Sequence, residues 1–403
     1  MYIIYWKWEV WKWIKKLLDY NWNKNQLMDD NDFDVEALDK AKYVIVSPWI
    51  KPSHKIYEDY SEKIVSELDI VHKILNENSL LDNFRFFWIT WSKWKSTTSW
   101  ILYNILKDNY SNTFIWWNFS PAISKLVYDI ITENNTSEII NIVIETSSFM
   151  LYNTNDFRFD YSIWTNIEAD HLDRHFDYDD YFKSKKKIIE LTKNKTIIWK
   201  NIDIKDNLNK LIVLDSIKSY DSKLIWQHNQ FNINIAVKLA EEIWINNDSI
   251  TKTVSRLEWL ENTLERVKCI DWISIYNDWK STTPWALLSA LKSFDEKVIL
   301  IAWWSDKWAD YSIIQDEVDR IVNKWFLIWD TASKISEIFK NSNIEYEIEY
   351  SLEDAVSKAF NNAKKENIWI ILFSPWSASF WMFKDYKDRI KVFLDAISKL
   401  NLK

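Results

Sequence analysis

The sequence predicts an α/β fold arranged as three domains. Short runs of β-branched and aromatic residues alternate with longer amphipathic segments along most of the 403 residues, which is the pattern of strands and crossover helices in a mostly parallel sheet. A tryptophan-rich turn opens a strand-loop-helix unit near residues 6, 91 and 303, and polar stretches at 78–83 and 258–263 separate the units. A chain of this length can bury two or three cores.

Each element is predicted from its local composition. Strands are expected where short apolar runs rich in Ile, Val, Phe and Tyr lie between turn residues, at 2–5, 43–47, 86–90, 139–145, 162–166, 273–277, 297–302 and 368–373. Helices are expected where apolar residues recur with a period near 3.6, at 96–108, 178–192, 229–242, 311–322, 352–366 and 384–400.

Tryptophan stands where a folded protein of this size needs glycine. The chain has 28 tryptophans and no glycine, whereas average usage predicts roughly 28 glycines. A residue with a Cβ costs about 1–2 kcal/mol in left-handed backbone, so many such sites would consume the stability of a typical domain. We therefore hypothesise that a glycine codon, a reassigned UGA, is written here as tryptophan. The enrichment in Asn, Lys and Ile fits an AT-rich genome.

The alternative is a genuinely tryptophan-rich binding module that uses aromatic platforms for sugars or bases. An intact mass at the literal 48.8 kDa would contradict the recoding hypothesis. Below, each Trp is treated as a candidate Gly.

The overall composition predicts a cytoplasmic protein. A net charge of −8 and a pI near 5.4 give no basic surface for nucleic acid. The single cysteine, Cys269, excludes an internal disulfide and favours a reducing compartment. The apolar runs are too short to span a membrane, and residues 1–5 are expected to form a strand, not a signal peptide.

Two motifs are typical of phosphate binding if Trp is treated as Gly. The first, WKWEVW at 6–11, becomes G-x-G-x-x-G after a strand, where backbone N–H groups can approach a phosphate. A tight turn without a ligand explains it equally well.

The second motif, WITWSKWKSTT at 88–98, becomes GITGSKGKSTT between a strand and a helix. Its ending places a backbone nest and Lys95 on nucleotide phosphates and a hydroxyl on Mg²⁺. Its first glycine equivalent falls one residue too early for the general P-loop spacing. A turn without ligand and a generic P-loop kinase are the alternatives.

Further motifs extend this pattern in order along the chain. They are ETSSF at 145–149, TNIEADHLDRH ending at His175, KSKKK at 183–187, WQHN at 226–229, NDWKSTTP at 277–284 and SPWSASFWMF at 374–383. Together with the G-x-T-G-x-x-G-K-S form at 88–96, they resemble the Mur ligase family over nearly the whole chain. The last motif resembles the branch that adds D-glutamate.

The resemblance implies a fold and an activity. It implies a Rossmann-like, UDP-substrate-binding domain at 1–82, a central P-loop ATP-binding ligase domain at 83–257 and a Rossmann-like, amino-acid-binding domain at 258–403. The implied reaction is the ATP-dependent addition of D-glutamate to UDP-N-acetylmuramoyl-L-alanine through an acyl phosphate, in peptidoglycan precursor synthesis. A monomer is expected, with no nucleic-acid or membrane partner.

The resemblance also implies which residues form the site. The implied catalytic residues are Lys95, Glu145, His171 and Lys185. Two Mg²⁺ sites are implied, with ligands Ser96, Thr97, Glu145, His171 and Lys185. Lys185 would carry a CO₂-derived carbamate, although the lysines at 183, 185, 186 and 187 could equally form a solvated helix face.

Nucleotide and substrate contacts complete the implied site. The ATP-binding residues are Trp91, Ser92, Lys93, Trp94, Lys95, Ser96, Thr97, Asn229, Asn232, Asp278 and Lys280. The substrate-binding residues are Ser47, Asn118, Thr282, Lys307, Ser379 and Phe383. A cation and hydroxyl donors suit the two carboxylates of glutamate, but Asn118 could be a turn residue and Ser379 a helix N-cap. His54, His72 and His175 are assigned surface or structural roles.

The chain departs from the family pattern at one phosphate contact. The run WLENTLE at 259–265 has Thr263 where the family carries an arginine, and Arg266 lies three residues on. Thr283 stands where the family often has asparagine. Another Mur ligase or a folylpolyglutamate synthase is the closest rival, and the 374–383 motif and the compact length argue against both.

Overall fold

The computed structural model describes residues 1–5, 11–90, 95–117, 122–133, 136–167, 174–224, 227–258, 264–279, 281, 284–302, 312–328, 344–375 and 386–400. The strands in these ranges are β1 (Tyr2–Tyr5), β2 (Asn25–Met28), β3 (Tyr43–Val46), β4 (Ile64–Val65), β5 (Phe84–Thr90), β6 (Thr113–Trp116), β7 (Ile140–Thr146), β8 (Tyr161–Trp164), β9 (Thr196–Trp199), β10 (Leu211–Leu214), β11 (Glu265–Ile270), β12 (Ile273–Asn277), β13 (Val298–Ala302), β14 (Val322–Ile328), β15 (Glu345–Glu349) and β16 (Ile370–Phe373).

The helices of the same ranges alternate with these strands. They are α1 (Trp11–Tyr20), α2 (Val35–Lys40), α3 (Lys55–Tyr60), α4 (Glu67–Glu77), α5 (Lys95–Asn109), α6 (Ile123–Thr132), α7 (Ser148–Asn153), α8 (Tyr178–Leu191), α9 (Gln227–Glu242), α10 (Asn247–Arg256), α11 (Pro284–Leu291), α12 (Gln315–Ile321), α13 (Leu352–Glu366) and α14 (Tyr386–Lys399).

The strands of the described ranges form separate sheets. The first has the order β2-β1-β3-β4 and the second the order β10-β9-β8-β5-β7-β6, and every pair in both is parallel. The third has the order β11-β12-β16-β13-β14-β15, in which β11 alone pairs antiparallel. The predicted α/β class is confirmed.

The chain divides into two compact units, residues 1–258 and 259–403. The first unit contains the first two sheets, and one apolar cluster includes residues from both. The second unit contains the third sheet, with its own core of Ile, Phe and Ala side chains under α13 and α14. The predicted boundary between domains near residue 82 remains a prediction.

A buried carboxylate joins the two sheets of the first unit. Asp69, in the first turn of α4, accepts hydrogen bonds from the backbone N–H groups of Asn155, Asp156 and Phe157 at 2.8–3.2 Å. It also accepts from the Ser66 backbone N–H at 3.1 Å, and the Asp69 N–H donates to Ser66 Oγ at 3.0 Å, which together form a capping box. Several N–H donors on one buried carboxylate offset its loss of hydration. The contact therefore fixes the α4 end of the first sheet to the loop after α7.

Two tryptophans occupy backbone that favours glycine. Trp22 after α1 has φ 55° and Trp244 after α9 has φ 67°, and both side chains are 94% exposed. In each case the next residue donates its N–H to a carbonyl five residues back, Asn23 to Leu18 and Ile245 to Ala240. This is the Schellman C-cap, whose left-handed residue is usually glycine.

A third tryptophan is crowded in the core. Trp88 in β5 is fully buried, and its ring centroid lies 3.4 Å from that of Phe159 with the planes tilted by 57°. Aromatic pairs normally keep their centroids about 4.5–7 Å apart. Its Nε1 also has no hydrogen-bond partner within the described residues. Positions 22, 88 and 244 thus support the recoding hypothesis.

Candidate active site

The second sheet has its topological switch point at β5. After β5 the chain crosses to the edge strand β6, returns to β7 beside β5, and then continues on the opposite side through β8. Ligands of open parallel sheets bind beyond the carboxyl ends of the strands at such a point. Here β5 leads to the predicted phosphate-binding motif and then to α5, which begins at Lys95.

A hydroxyl and a carboxylate meet at this switch point. Ser96 in the first turn of α5 donates a hydrogen bond from Oγ to Glu145 Oε2 at 2.7 Å. Glu145 is the second-last residue of β7, is paired with Ile89 of β5, and is only 4% exposed. Hard oxygen donors of this kind suit Mg²⁺, so the residues present fit the predicted metal. Thr97, the next predicted ligand, is also buried.

Helices α5 and α9 are joined by buried polar side chains. Thr98 Oγ1 donates to Asn232 Oδ1 at 3.2 Å, and Asn232 Nδ2 donates to Asn229 Oδ1 at 3.4 Å. Both asparagines are buried. Asn232 therefore helps to pair the two helices, and the predicted contact of both asparagines with ATP stays a prediction.

Lys185 is buried within α8. It is 1% exposed, and its Nζ lies 5.1 Å from the ring centroid of Tyr181, one turn earlier. The alternative of a solvated face is therefore wrong for Lys185. Its neighbours differ: Lys186 pairs with Asp206, and Lys187 donates to the backbone oxygen of Tyr152 at 2.7 Å. Of the four lysines in this run, Lys185 is the buried one.

His175 lies at the centre of a buried hydrogen-bonded chain. Its Nδ1 is 2.9 Å from Asp180 Oδ2 and its Nε2 is 2.9 Å from Ser148 Oγ. Because an ionised carboxylate only accepts, Nδ1 carries the proton and Nε2 of the neutral ring accepts from the Ser148 hydroxyl. Burial lowers the pKa of His175, and the Asp180 carboxylate partly offsets this.

From the sequence, His175 is assigned only a surface or structural role, and neither of these partners is predicted. Its only signal was its place at the end of the TNIEADHLDRH motif, because Ser148 and Asp180 come together with it only in the fold. The side chain is buried, so of the two assigned roles the structural one applies to His175.

Arg174 connects the first sheet to this region. Its Nε donates to the backbone oxygen of Pro48 at 3.2 Å, and its guanidinium lies 5.2 Å from the ring centroid of Phe149 and 5.3 Å from that of Tyr152. Burial lowers its pKa. Ser47, a predicted substrate contact, is buried in the same loop, and its Oγ accepts from the Trp49 N–H at 3.3 Å.

Of the predicted nucleotide-binding residues in the second unit, Asp278 lies within the described residues. Asp278 follows β12 and is buried; it accepts from the Leu264 N–H at 3.1 Å and from the Ser374 hydroxyl at 3.2 Å. Burial raises the pKa of Asp278 to about 7, although these donors act in the opposite direction.

The remaining predicted site residues lie outside the described residues. They are Trp91, Ser92, Lys93, Trp94, Asn118, His171, Lys280, Thr282, Lys307, Ser379 and Phe383. The departure at Thr263 lies outside them as well. The described part of the site therefore consists of the Ser96–Glu145 pair and the buried side chains of Lys185 and His175.

Known proteins resemble the chain in sequence over almost its full length. The Mur ligase middle domain matches residues 89–241. The UDP-N-acetylmuramoylalanine--D-glutamate ligase of Aquifex aeolicus strain VF5 is 30% identical over 386 residues, which cover 90% of this chain and 89% of that protein. The chain belongs to the Mur ligase family. The protein of the same name from Prochlorococcus marinus strain NATL2A is 27% identical and covers 96% of the chain and 92% of its own length.

A solved Mur ligase shares the fold. The MurF ligase of Thermotoga maritima, solved in complex with ADP, has a TM-score of 0.61 at 16% identity and covers 92% of this chain and 91% of its own. The predicted family is confirmed, and the chain described here is an enzyme of the ligase class. The 89–241 match spans β5 to α9, and so contains the Ser96–Glu145 pair and Lys185. No helix of the described ranges is long and apolar enough to cross a membrane.

Proposed function

We propose that this Mur ligase joins D-glutamate to UDP-N-acetylmuramoyl-L-alanine while ATP is converted to ADP and phosphate. Two curated relatives, 27–30% identical over nearly the whole chain, are named UDP-N-acetylmuramoylalanine--D-glutamate ligase. The single structural observation that supports it most is the 2.7 Å contact between Ser96 and Glu145 beyond β5. That contact lies where a parallel sheet binds nucleotides.

The proposed chemistry activates a carboxylate before an amide is formed. A carboxylate oxygen of the alanyl group attacks the γ-phosphorus of ATP, and the bond from that phosphorus to ADP breaks. The amine of D-glutamate then attacks the acyl carbon, phosphate leaves, and the amine loses a proton. In-line phosphoryl transfer depends mainly on positioning and charge stabilisation.

The residues of the chain would divide this work. Lys95 opens α5, so it and the helix N-terminus would stabilise phosphate charge. Ser96, Thr97 and Glu145 would hold Mg²⁺, which would supply positive charge next to the phosphate oxygens. We propose a second Mg²⁺ site at His171 and a carbamylated Lys185.

We propose the substrate contacts from the sequence motifs described above. Ser47 and Asn118 would contact the UDP substrate, and Asn229, Asn232, Asp278 and Lys280 the nucleotide. Thr282, Lys307, Ser379 and Phe383 would receive D-glutamate. We further propose that the enzyme works as a monomer in the cytoplasm.

The test is substrate-dependent release of phosphate. Purified protein with ATP and Mg²⁺ should release phosphate only when both UDP-N-acetylmuramoyl-L-alanine and D-glutamate are present, and mass spectrometry should show the amide product. L-Glutamate and L-lysine are the amino-acid controls, and a folate substrate tests the folylpolyglutamate alternative. Turnover with folate or with another amino acid, but not with D-glutamate, would overturn the proposal.

A further inference from the structure

We propose that His175 is a positioning residue that holds α8, and with it Lys185, against the carboxyl end of β7, where Glu145 lies. This inference rests on the proposed function, because it assigns His175 a part in the ligase reaction. His175 is not among the site residues that the family resemblance implies.

The imidazole connects α8, which carries Lys185, to α7, which begins directly after the strand that carries Glu145. Ser148, which binds Nε2, is the first residue of α7 and follows Glu145 by three positions. Asp180, which binds Nδ1, lies in the first turn of α8 and precedes Lys185 by five positions. Helices α7 and α8 also pack against each other. The ring is therefore a hydrogen-bonded link between the two halves of the proposed site.

The link has one consistent set of donors and acceptors. The hydroxyl of Ser148 donates to Nε2, the N–H at Nδ1 donates to Asp180, and the Asp180 backbone N–H donates to the α8 N-cap Asp177 at 2.7 Å. A fully satisfied buried network holds its members in one arrangement. An imidazole that lost either partner would leave a buried polar atom without a hydrogen bond.

Aromatic packing carries the position of the ring to Lys185. The His175 ring lies 5.3 Å from Tyr181 in an edge-on contact and 5.7 Å from Phe149 of α7. The Lys185 Nζ lies 5.1 Å from the centroid of the same Tyr181 ring. Close-packed side chains transmit small displacements, and a shift of about 1 Å at a reacting group can cost about 100-fold in rate.

The experiment separates the two hydrogen bonds. In His175→Asn the side-chain amide reaches the position of Nδ1, so the hydrogen bond to Asp180 is kept and the one to Ser148 is lost. In His175→Gln the amide reaches the position of Nε2, so the hydrogen bond to Ser148 is kept and the one to Asp180 is lost. Ser148→Ala removes the first bond from the other side. The matched control is His72→Gln, because His72 is a half-buried histidine of α4 that packs on Phe157 at 5.6 Å, away from this chain.

The readout is steady-state kinetics at a temperature where circular dichroism shows every variant folded. We expect kcat to fall about 10- to 100-fold in both His175 variants and in Ser148→Ala, while KM for ATP and for both substrates stays within about threefold. The His175→Asn/Ser148→Ala double variant should lose no more than either single variant, because both changes break one bond. His72→Gln should lose stability without losing kcat.

The contrary outcomes are distinct. If the unmodified protein turns over and the folded His175 variants keep its kcat, His175 is only a packing residue and this inference is overturned, while the proposed function stands. Additive losses in the double variant would also overturn it. If the unmodified protein does not turn over with its proposed substrates, both proposals fail.

Discussion

Ser96 Oγ donates a 2.7 Å hydrogen bond to Glu145 Oε2, and this contact joins the start of α5 to the end of β7. The two residues are 49 positions apart in sequence, and the parallel register of β5 and β7 brings them together. Since both oxygens can bind a hard cation, their contact marks the place in the first unit where Mg²⁺ and phosphate would meet.

Glu145→Gln should weaken both Mg²⁺ dependence and turnover. The amide keeps the shape of the side chain and can still accept from Ser96, but it has no negative charge for the cation. Loss of a group that tunes a metal costs about 10- to 100-fold in metal affinity or activity, and a direct ligand should cost at least that much. The measurement is the Mg²⁺ concentration for half-maximal phosphate release.

The matched control for this variant is Glu138→Gln. Glu138 is an exposed carboxylate that accepts from Ser111 Oγ at 2.9 Å, so it presents the same pair of groups just before the amino ends of β6 and β7, away from their carboxyl ends. Its variant should retain Mg²⁺ dependence. An equal loss in both variants would show that the Ser96–Glu145 contact has no special role.

Lys185→Arg should inactivate the enzyme even though it keeps the positive charge. The guanidinium cannot form a carbamate, and the buried site that holds the amine has little room for a larger group. Activity of the unmodified protein should rise with added bicarbonate, and that of the variant should not. Lys185→Gln serves as a second, smaller variant, and circular dichroism checks that both are folded.

Lys186→Arg is the control one position away. Lys186 pairs with Asp206 at the surface of the same helix, and an arginine can keep that ion pair. It should retain activity and bicarbonate dependence. Full activity of Lys185→Gln without bicarbonate dependence would exclude the carbamate.

Asp278 should make the free energy of unfolding fall as pH rises. Its pKa is about 7 in the folded protein against an ordinary value of 3.8 for an aspartate, so between about pH 4 and pH 7 the folded state binds more protons than the unfolded state. The neutral carboxylic acid contributes its full share of the unfolding free energy below about pH 4. This contribution is lost as the pH rises to about 7, and it does not change further at higher pH. Each pKa unit is worth about 1.4 kcal/mol, so the upper limit is about 4 kcal/mol.

Urea unfolding of the unmodified protein and of Asp278→Asn across this range measures the effect. The amide can still accept from the Leu264 N–H but cannot ionise, so the difference in unfolding free energy between the two proteins should change steadily between pH 4 and pH 7. Asp295→Asn, at an exposed aspartate of the same unit, should run parallel to the unmodified protein. A pH-independent difference for Asp278→Asn would contradict the assignment.

Local sequence patterns predicted some strands and helices with their bounds and missed others. The strands at 2–5 and 273–277 and the helix at 352–366 have the predicted bounds, because each is a clear run between turn residues. Helix α1 was not predicted: its first turn falls within a WKWEVWKW stretch, where tryptophans hide the start of the apolar period. The predicted helix at 311–322 was too long, since Val322 already pairs in β14.

The sequence could indicate residue types at the site but not their partners. Ser96 and Glu145 were found from motifs, and their contact depends on strand register, which no local pattern contains. The burial of Lys185 was hidden among four lysines within five positions, because only tertiary packing decides which of them faces the core. The partners of His175 were missed for the same reason.

Replacing Trp22 or Trp244 by glycine should stabilise the chain. Both residues have left-handed backbone at the C-cap of a helix and expose 94% of their side chains, so glycine removes strain and loses little packing. We expect each change to add about 1 kcal/mol to the free energy of unfolding, and the two effects should add because the sites lie on different helices. Urea unfolding measures both.

Asn367→Gly is the matched control for these variants. Asn367 follows α13 with φ 55° in the same kind of cap, and asparagine tolerates left-handed backbone better than other residues with a Cβ. Its replacement should add distinctly less stability than that of Trp22 or Trp244.

If the recoding hypothesis is correct, peptides of the protein from its source organism that span positions 22, 88 and 244 carry glycine at each. Tryptophan in those peptides, with an intact mass of 48.8 kDa, would contradict it, and these positions would then be strained in the native enzyme.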